Sequence, residues 1–269
     1  MEPLWYKYTK GDSDKPVLCF LHGLAGSSSI YSETVKYFSK KGYNILIIDL
    51  LGHGLSDKES DINLYKFTTQ CKYIKRIVDK EQIPHVILIG HCLGSLLCQE
   101  FCRLYEKNVL GLILINSHYK IRSNNMIQLK INLMKVLVKL FILLGLFKRG
   151  ILGHDTYSKY AKTADFSPTR FFLSDIKYTS AKVMQYYYKL TSEYENTELD
   201  KIKCPVLLIH GKKDTFFDYK ISLEMSEKIP NSMLRLIENG NHILSISNNE
   251  KMNKLILEFI KTFQIHNHN

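Results

Sequence analysis

Short apolar runs recur along the chain near residues 4–9, 17–21, 45–49, 86–90, 109–116, 205–210 and 233–237. They are too short for stable helices. Most are continuous stretches of Val, Ile and Leu, as expected of strands buried on both faces of a sheet. Between the early runs, residues 31–41, 65–82 and 93–107 carry helical patterns. Strands alternating with helices predict an α/β domain, a mainly parallel sheet flanked by helices on both faces. The alternation breaks at 118–203, which splits the expected core into 1–117 and 204–269.

Inside that break, residues 126–147 are strongly apolar, with Gln128, Asn132, Lys135 and Lys139 four, three and four apart. This spacing gathers the polar groups on one helical face and leaves Ile, Leu, Met, Val and Phe on the others. The longest uncharged piece, 140–147, is far shorter than the roughly 20 apolar residues of a membrane span. Packing onto the core is the expected role. A helix lying on a membrane surface, with its lysine stripe at the headgroups, is the alternative. A second segment, 167–195, opens with Ser167-Pro168, a good helix start, and is rich in Tyr and Phe.

Composition changes this picture little. The chain has 269 residues, 45% apolar and 23% charged, enough for one domain with a full core. Lys and Arg outnumber Asp and Glu by 37 to 26, a formal charge of +11. The basic residues are spread out and no nucleic-acid module accompanies them, so no nucleic-acid partner is expected. The first residues lack a basic region followed by an apolar one, so no secretory signal is read. Cys19, Cys71, Cys92, Cys98, Cys102 and Cys204 fall largely in inferred core elements. Together these features point to a cytoplasmic chain with free thiols and no disulfide scaffold. Cys98 and Cys102, at i and i+4, have no second ligand pair at metal spacing and read as packing.

The chemistry concentrates at residues 86–94, Val-Ile-Leu-Ile-Gly-His-Cys-Leu-Gly, where a buried strand drops into a turn with Cys92 between Gly90 and Gly94. A helix follows. This is the shape of a nucleophile elbow, G-x-S-x-G, with a thiol in place of the hydroxyl. Asp214 follows the strand-like 206–211, and His242 follows 233–237, giving the chain order nucleophile, acid, histidine. Residues 17–24 end a strand in a His22-Gly23 turn, and 45–56 carry Asp-Leu-Leu-Gly-His-Gly-Leu-Ser. In these landmarks the chain resembles the α/β-hydrolase fold superfamily, in its cap-bearing, esterase-like branch, over nearly its whole length. The resemblance implies that 118–203 is a helical cap over the nucleophile. Dienelactone hydrolases and polyhydroxyalkanoate synthases share a cysteine elbow, but this chain is short and modestly capped for the synthases, and its His22-Gly23 region and cap depart from the dienelactone hydrolases.

What the resemblance implies is a Cys92–His242–Asp214 triad. A helix N-terminus and a neighbouring imidazole favour the nucleophilic thiolate, which attacks an ester or thioester carbonyl to form an acyl-enzyme. His242 moves the proton and Asp214 orients it. The N–H groups of Leu24 and Leu93 are the expected oxyanion donors. His22, Gly23 and His91 are expected to shape the substrate pocket. Asp218 is the alternative acid, four residues on. Ser95 sits too far into the helix to be the nucleophile. His53, His85, His118, His154 and His210 receive no role. The triad is complete in itself, so no cofactor or metal is implied. The substrate is read as small and hydrophobic or acyl-bearing. Acyl transfer by the same triad, and a non-catalytic binder of small apolar ligands, remain as alternatives.

Overall fold

The computed structural model describes residues 2–121 and 179–265. Seven strands form one sheet: β1 (Tyr6–Thr9), β2 (Val17–Leu21), β3 (Asn44–Ile48), β4 (Val86–His91), β5 (Val109–Ile115), β6 (Val206–Gly211) and β7 (Ser232–Ile237). Each coincides with one of the apolar runs. Their order across the sheet is β1-β3-β2-β4-β5-β6-β7. Only β1 runs antiparallel to its neighbour, β3; the remaining pairs are parallel.

Period-two alternation divides each central strand between two cores. Cys19, Leu21, Val86, Leu88, Leu112, Leu114, Val206 and Leu208 face one side. There they pack with Cys71, Ile74 and Ile77 of α2 (Phe67–Lys80) and Leu97 and Phe101 of α3 (Leu93–Leu104). Leu18, Phe20, Ile87, Ile89, Ile113, Ile115, Leu207 and Ile209 face the other. They meet Phe38 of α1 (Ser32–Ser39), and Met252, Ile256 and Ile260 of the C-terminal helix Asn249–Ile265. Burying each large aliphatic side chain stabilises the fold by about 1.5–3 kcal/mol, which makes continuous apolar strands the natural centre of a three-layer structure.

Helix ends differ from the pattern by a turn or less. The 31–41 segment starts as a 3₁₀ turn, Ser28–Tyr31, before α1. The 93–107 segment breaks at Tyr105 and finishes as a separate 3₁₀ turn, Glu106–Asn108. Cys98 and Cys102 are buried on α3, and all six cysteines are free; the Cys102 and Cys204 sulfurs lie 3.8 Å apart.

The expected 126–147 helix and the Ser167-Pro168 start lie outside the described residues. The chain leaves the core beyond β5 and returns as α4 (Ala181–Glu193), whose first turn is capped by the Ser180 hydroxyl accepting from Val183 N–H. A Lys120–Glu195 bridge and the Asn196 N–H donating to Tyr119 O (2.8 Å) hold the two ends of this excursion together. Since β5 and β6 are parallel neighbours, 118–203 forms their crossover connection. Among the described residues no helix is long and apolar enough to cross a membrane.

Candidate active site

Cys92 stands between β4 and α3 with φ 49° and ψ −111°, a conformation L-residues adopt only under constraint. Neighbouring backbone supplies that constraint. Cys92 N–H donates to Ile115 O on the adjacent strand (3.0 Å), and Cys92 O accepts from Ser95 N–H (3.0 Å) and from the Ser95 hydroxyl. The Ser95 hydroxyl therefore serves the turn. The flanking glycines are required by space: a Cβ on Gly94 would lie 2.1 Å from Leu21 O, and one on Gly90 would lie 2.5 Å from Gly94 O. The elbow places the half-buried thiol at the first turn of α3, over the carboxyl edge of the sheet.

Asp214 and His242 meet there. His242 Nδ1–H donates to Asp214 Oδ2 at 2.8 Å, with the carboxylate buried and the imidazole 15% exposed. Asp214 Oδ1 accepts from the N–H groups of Phe216 (2.7 Å) and Phe217 (3.2 Å), and His210 Nε2 lies 3.5 Å from Oδ2. Burial raises the carboxyl, but hydrogen bonds from His210, His242 and Phe216 outweigh it and hold Asp214 well below the usual range. For His242, burial works against the charged ring. Hydrogen bonds to Asp214 and Cys92, with the attraction of both, overcome burial and raise it to about 10. Asp218 instead caps its own turn through Lys220 N–H (3.0 Å).

The backbone of His242 is fixed as firmly as its ring. Its carbonyl accepts from His91 Nε2–H (2.7 Å) and from Asn116 Nδ2 (2.6 Å). Asn116 follows β5 with φ 44°, a left-handed conformation that Asn tolerates. Its Nδ2 also reaches Asn241 O (2.9 Å), while its Oδ1 accepts from Gly211 N–H (2.9 Å). One amide thus joins the ends of β5 and β6 to the histidine loop. Burial, and then the charge on His242, push His91 down to about 3, so that ring is neutral.

On the other side of Cys92 lies the turn after β2. A Cβ on Gly23 would lie 2.7 Å from His91 Nδ1 and 3.4 Å from Cys92 Cβ, so this turn rests directly on the elbow. Gly26 N–H closes it on Gly23 O (3.2 Å), and Ala25, at φ 59°, donates its N–H to His53 Nε2 (3.1 Å). His53 Nδ1–H donates to Leu51 O (3.1 Å), which fixes its tautomer. His22 is wholly buried. Its Nε2 accepts from Leu50 N–H (2.9 Å) and its Nδ1–H donates to Gly23 O (2.8 Å), so it braces the turn from behind. Leu24 is half-buried, and among the described residues its N–H finds no acceptor. Leu93 N–H belongs to the first turn of α3, where no intrahelical acceptor exists.

The structure thus brings Cys92, Asp214, His242, Gly23, Leu24, Leu93 and His91 together, with His22 just behind them. It adds Asn116, whose partners lie 95 to 126 residues away, His53, which meets Ala25 28 residues back, and His210, which sits against Asp214, Phe217 and Ser222 of its own stretch. It also adds two aromatic residues after the acid. Phe216, 56% exposed, packs on the His242 ring at 4.6 Å, and Phe217 lies 5.9 Å from it. Their place directly after Asp214 was the available clue. Among the described residues no group of three His, Cys, Asp or Glu side chains is arranged to hold a metal ion.

The model of the alpha/beta hydrolase fold family matches residues 16–249. Protein ABHD8 of Mus musculus is 27% identical over 93% of this chain, which spans only 56% of that protein's length. The AB hydrolase superfamily protein YisY of Bacillus subtilis is 24% identical, over 91% of both chains. The solved structure of an esterase from Exiguobacterium antarcticum superposes with a TM-score of 0.80 at 19% identity, over 96% of this chain and 95% of that one. At that identity the superposition speaks for the fold alone. The family match covers most of the chain, Cys92, Asp214 and His242 among the residues, so the chain belongs to the alpha/beta hydrolase fold family.

Proposed function

We propose that this protein is a hydrolase that cleaves a carboxylic ester or thioester through Cys92, His242 and Asp214. The observation that carries the reading is the pairing at the elbow: a buried carboxylate 2.8 Å from His242 Nδ1, in a ring whose charged form is favoured by Asp214 and by Cys92 at the strained turn. The Cys92 thiol proton passes to His242 Nε2 as the nucleophile forms. Cys92 Sγ attacks the carbonyl carbon, and the oxyanion forms between the N–H groups of Leu24 and Leu93. His242 Nε2–H protonates the departing alcohol or thiol, leaving an acyl thioester on Cys92. His242 then takes a proton from water, whose oxygen attacks the acyl carbon and expels the thiolate. Asp214 keeps Nδ1 protonated and aimed throughout.

In this reading 118–203 is the cap, since it crosses between β5 and β6 at the edge that carries Cys92. Phe216 and His91 border the substrate, with Gly23 allowing its close approach to the elbow. The apolar composition of 126–147 favours an acyl-bearing or otherwise hydrophobic substrate. Free thiols at all six cysteines suit a cytoplasmic setting.

Intact-protein mass spectrometry with p-nitrophenyl esters of graded acyl length, alongside nitrophenol release, tests the proposal. Wild type should gain the acyl mass transiently and release nitrophenol, and Cys92→Ala should do neither. A persistent adduct discharged only by an added alcohol, amine or thiol would replace hydrolysis with transfer. No adduct and no release at any length would sink the catalytic reading and leave ligand binding.

A further inference from the structure

His118 is the buried imidazole that the triad does not use. β5 ends at Ile115, and the chain turns over the carboxyl edge of the sheet through Asn116, Ser117 and His118. The backbone there is pinned: Gln99 Nε2 donates to His118 O (2.9 Å), and Gln99 Oε1 accepts from Asn196 Nδ2 (3.2 Å). The ring lies flat on Phe217, with centroids 4.1 Å apart and planes at 15°. Phe217 in turn donates its N–H to Asp214 and faces His242 at 5.9 Å. His118 is 1% exposed, yet among the described residues neither of its ring nitrogens has a hydrogen-bond partner.

An unbonded buried imidazole is a cost to folding, and native proteins leave few such groups. A phenyl ring would stack on Phe217 equally well without that cost, so packing does not explain a histidine here. Burial, reinforced by His242 and His210, pushes the ring down to about 3, so at neutral pH it is uncharged. It then offers one N–H donor and one bare acceptor. A hydroxyl, itself donor and acceptor, satisfies either nitrogen.

We infer that His118, stacked on Phe217 beside the acid and histidine, is a substrate-binding residue that recognises a hydroxyl group on the ester or thioester. The inference rests on the hydrolase reading of the same site and narrows its substrate class to hydroxylated esters. The hydroxyl belongs either to the acyl chain or to the alcohol, and the experiment has an arm for each.

The full chain is compared with His118→Phe and His118→Gln, by thermal melting and by kcat/KM on two ester pairs. Ethyl butyrate against ethyl 3-hydroxybutyrate places the hydroxyl on the acyl side. Butyl butyrate against glycerol monobutyrate places it on the alcohol side. Wild type should prefer the hydroxylated member of at least one pair by about tenfold or more. His118→Phe should keep or raise the melting temperature and lose the preference, and His118→Gln should restore part of it. Three results overturn the inference: no preference in either pair, a preference that survives His118→Phe, or a melting temperature several degrees lower in that variant, which reveals a partner within the fold. Failure of wild type to turn over any of the four esters, with no adduct on Cys92, overturns the hydrolase reading and this inference with it.

Discussion

At the residue scale, the site depends on polar side chains held in one orientation by partners distant in sequence. Asp214 is the clearest case, because it both fixes the His242 tautomer and sustains its charge. Asp214→Asn should leave the fold intact, since the amide oxygen still accepts from Phe216 and Phe217, while lowering kcat by roughly 10³–10⁴-fold. Burst and steady-state kinetics on a p-nitrophenyl ester measure this, and a loss under tenfold would remove Asp214 from the relay. Asn116 predicts the opposite balance. Its Nδ2 donates to the carbonyls of Asn241 and His242, so Asn116→Asp would set a carboxylate against two carbonyl oxygens. That substitution should cost about 3 kcal/mol or more, read as a lowered urea midpoint, and unchanged stability would show the amide to be dispensable. Cys92, Asp214 and His242 were legible because they follow strand ends in a fixed order. Asn116, His53 and His210 were not, because each is an ordinary residue type whose meaning lies in a contact.

Among the elements, β4, α3 and the turn after β2 interlock without room to spare. Gly94→Ala would press a methyl group against Leu21 O, a backbone atom that cannot rotate away. We expect a loss of about 1–3 kcal/mol from this overpacking, together with reduced acylation as the elbow shifts; a variant melting with wild type would refute the close approach. A second link runs from α4 to the turn after β2. The Tyr187 hydroxyl lies 2.8 Å from Leu51 O and 2.9 Å from Gln70 Oε1, and its ring packs on His53 at 5.1 Å. Tyr187→Phe should cost about 1 kcal/mol, visible as a small drop in the denaturation midpoint. The strands were legible because continuous apolar runs have few other ways to be buried. Helix ends were less so: Tyr105, at φ −137° and ψ 44°, leaves the helical region and breaks a pattern whose residues would otherwise continue the helix.

For the whole molecule, buried histidines set the dependence of stability on pH. His22, His53, His91 and His118 all lie below the ordinary imidazole value, chiefly because burial penalises their charged form. Unfolding lets each take up a proton below about pH 6.5, so stability falls as the solution is acidified through that range. His242 has the opposite sign: raised to about 10, it contributes fully below its unfolded value and loses that contribution as pH rises through about 10. The melting temperature should therefore peak near pH 6.5, fall steeply on the acid side and decline gently on the alkaline side. Scanning calorimetry from pH 4 to pH 10 checks this, and stability that rises between pH 7 and pH 9 would contradict the charged His242. The sequence by itself determined the seven strands, the helices between the early ones, the mainly parallel α/β class and the order of Cys92, Asp214 and His242 along the chain, since burial pattern and chain order are local properties. Only the tertiary structure decided the strand order, the antiparallel seating of β1, the bracing of the turn by His22 and His53, and the stacking of His118 on Phe217. Those depend on which strand ends become neighbours, and the contacts that follow, such as Asn116 to His242 across 126 residues, have no signature in either segment alone.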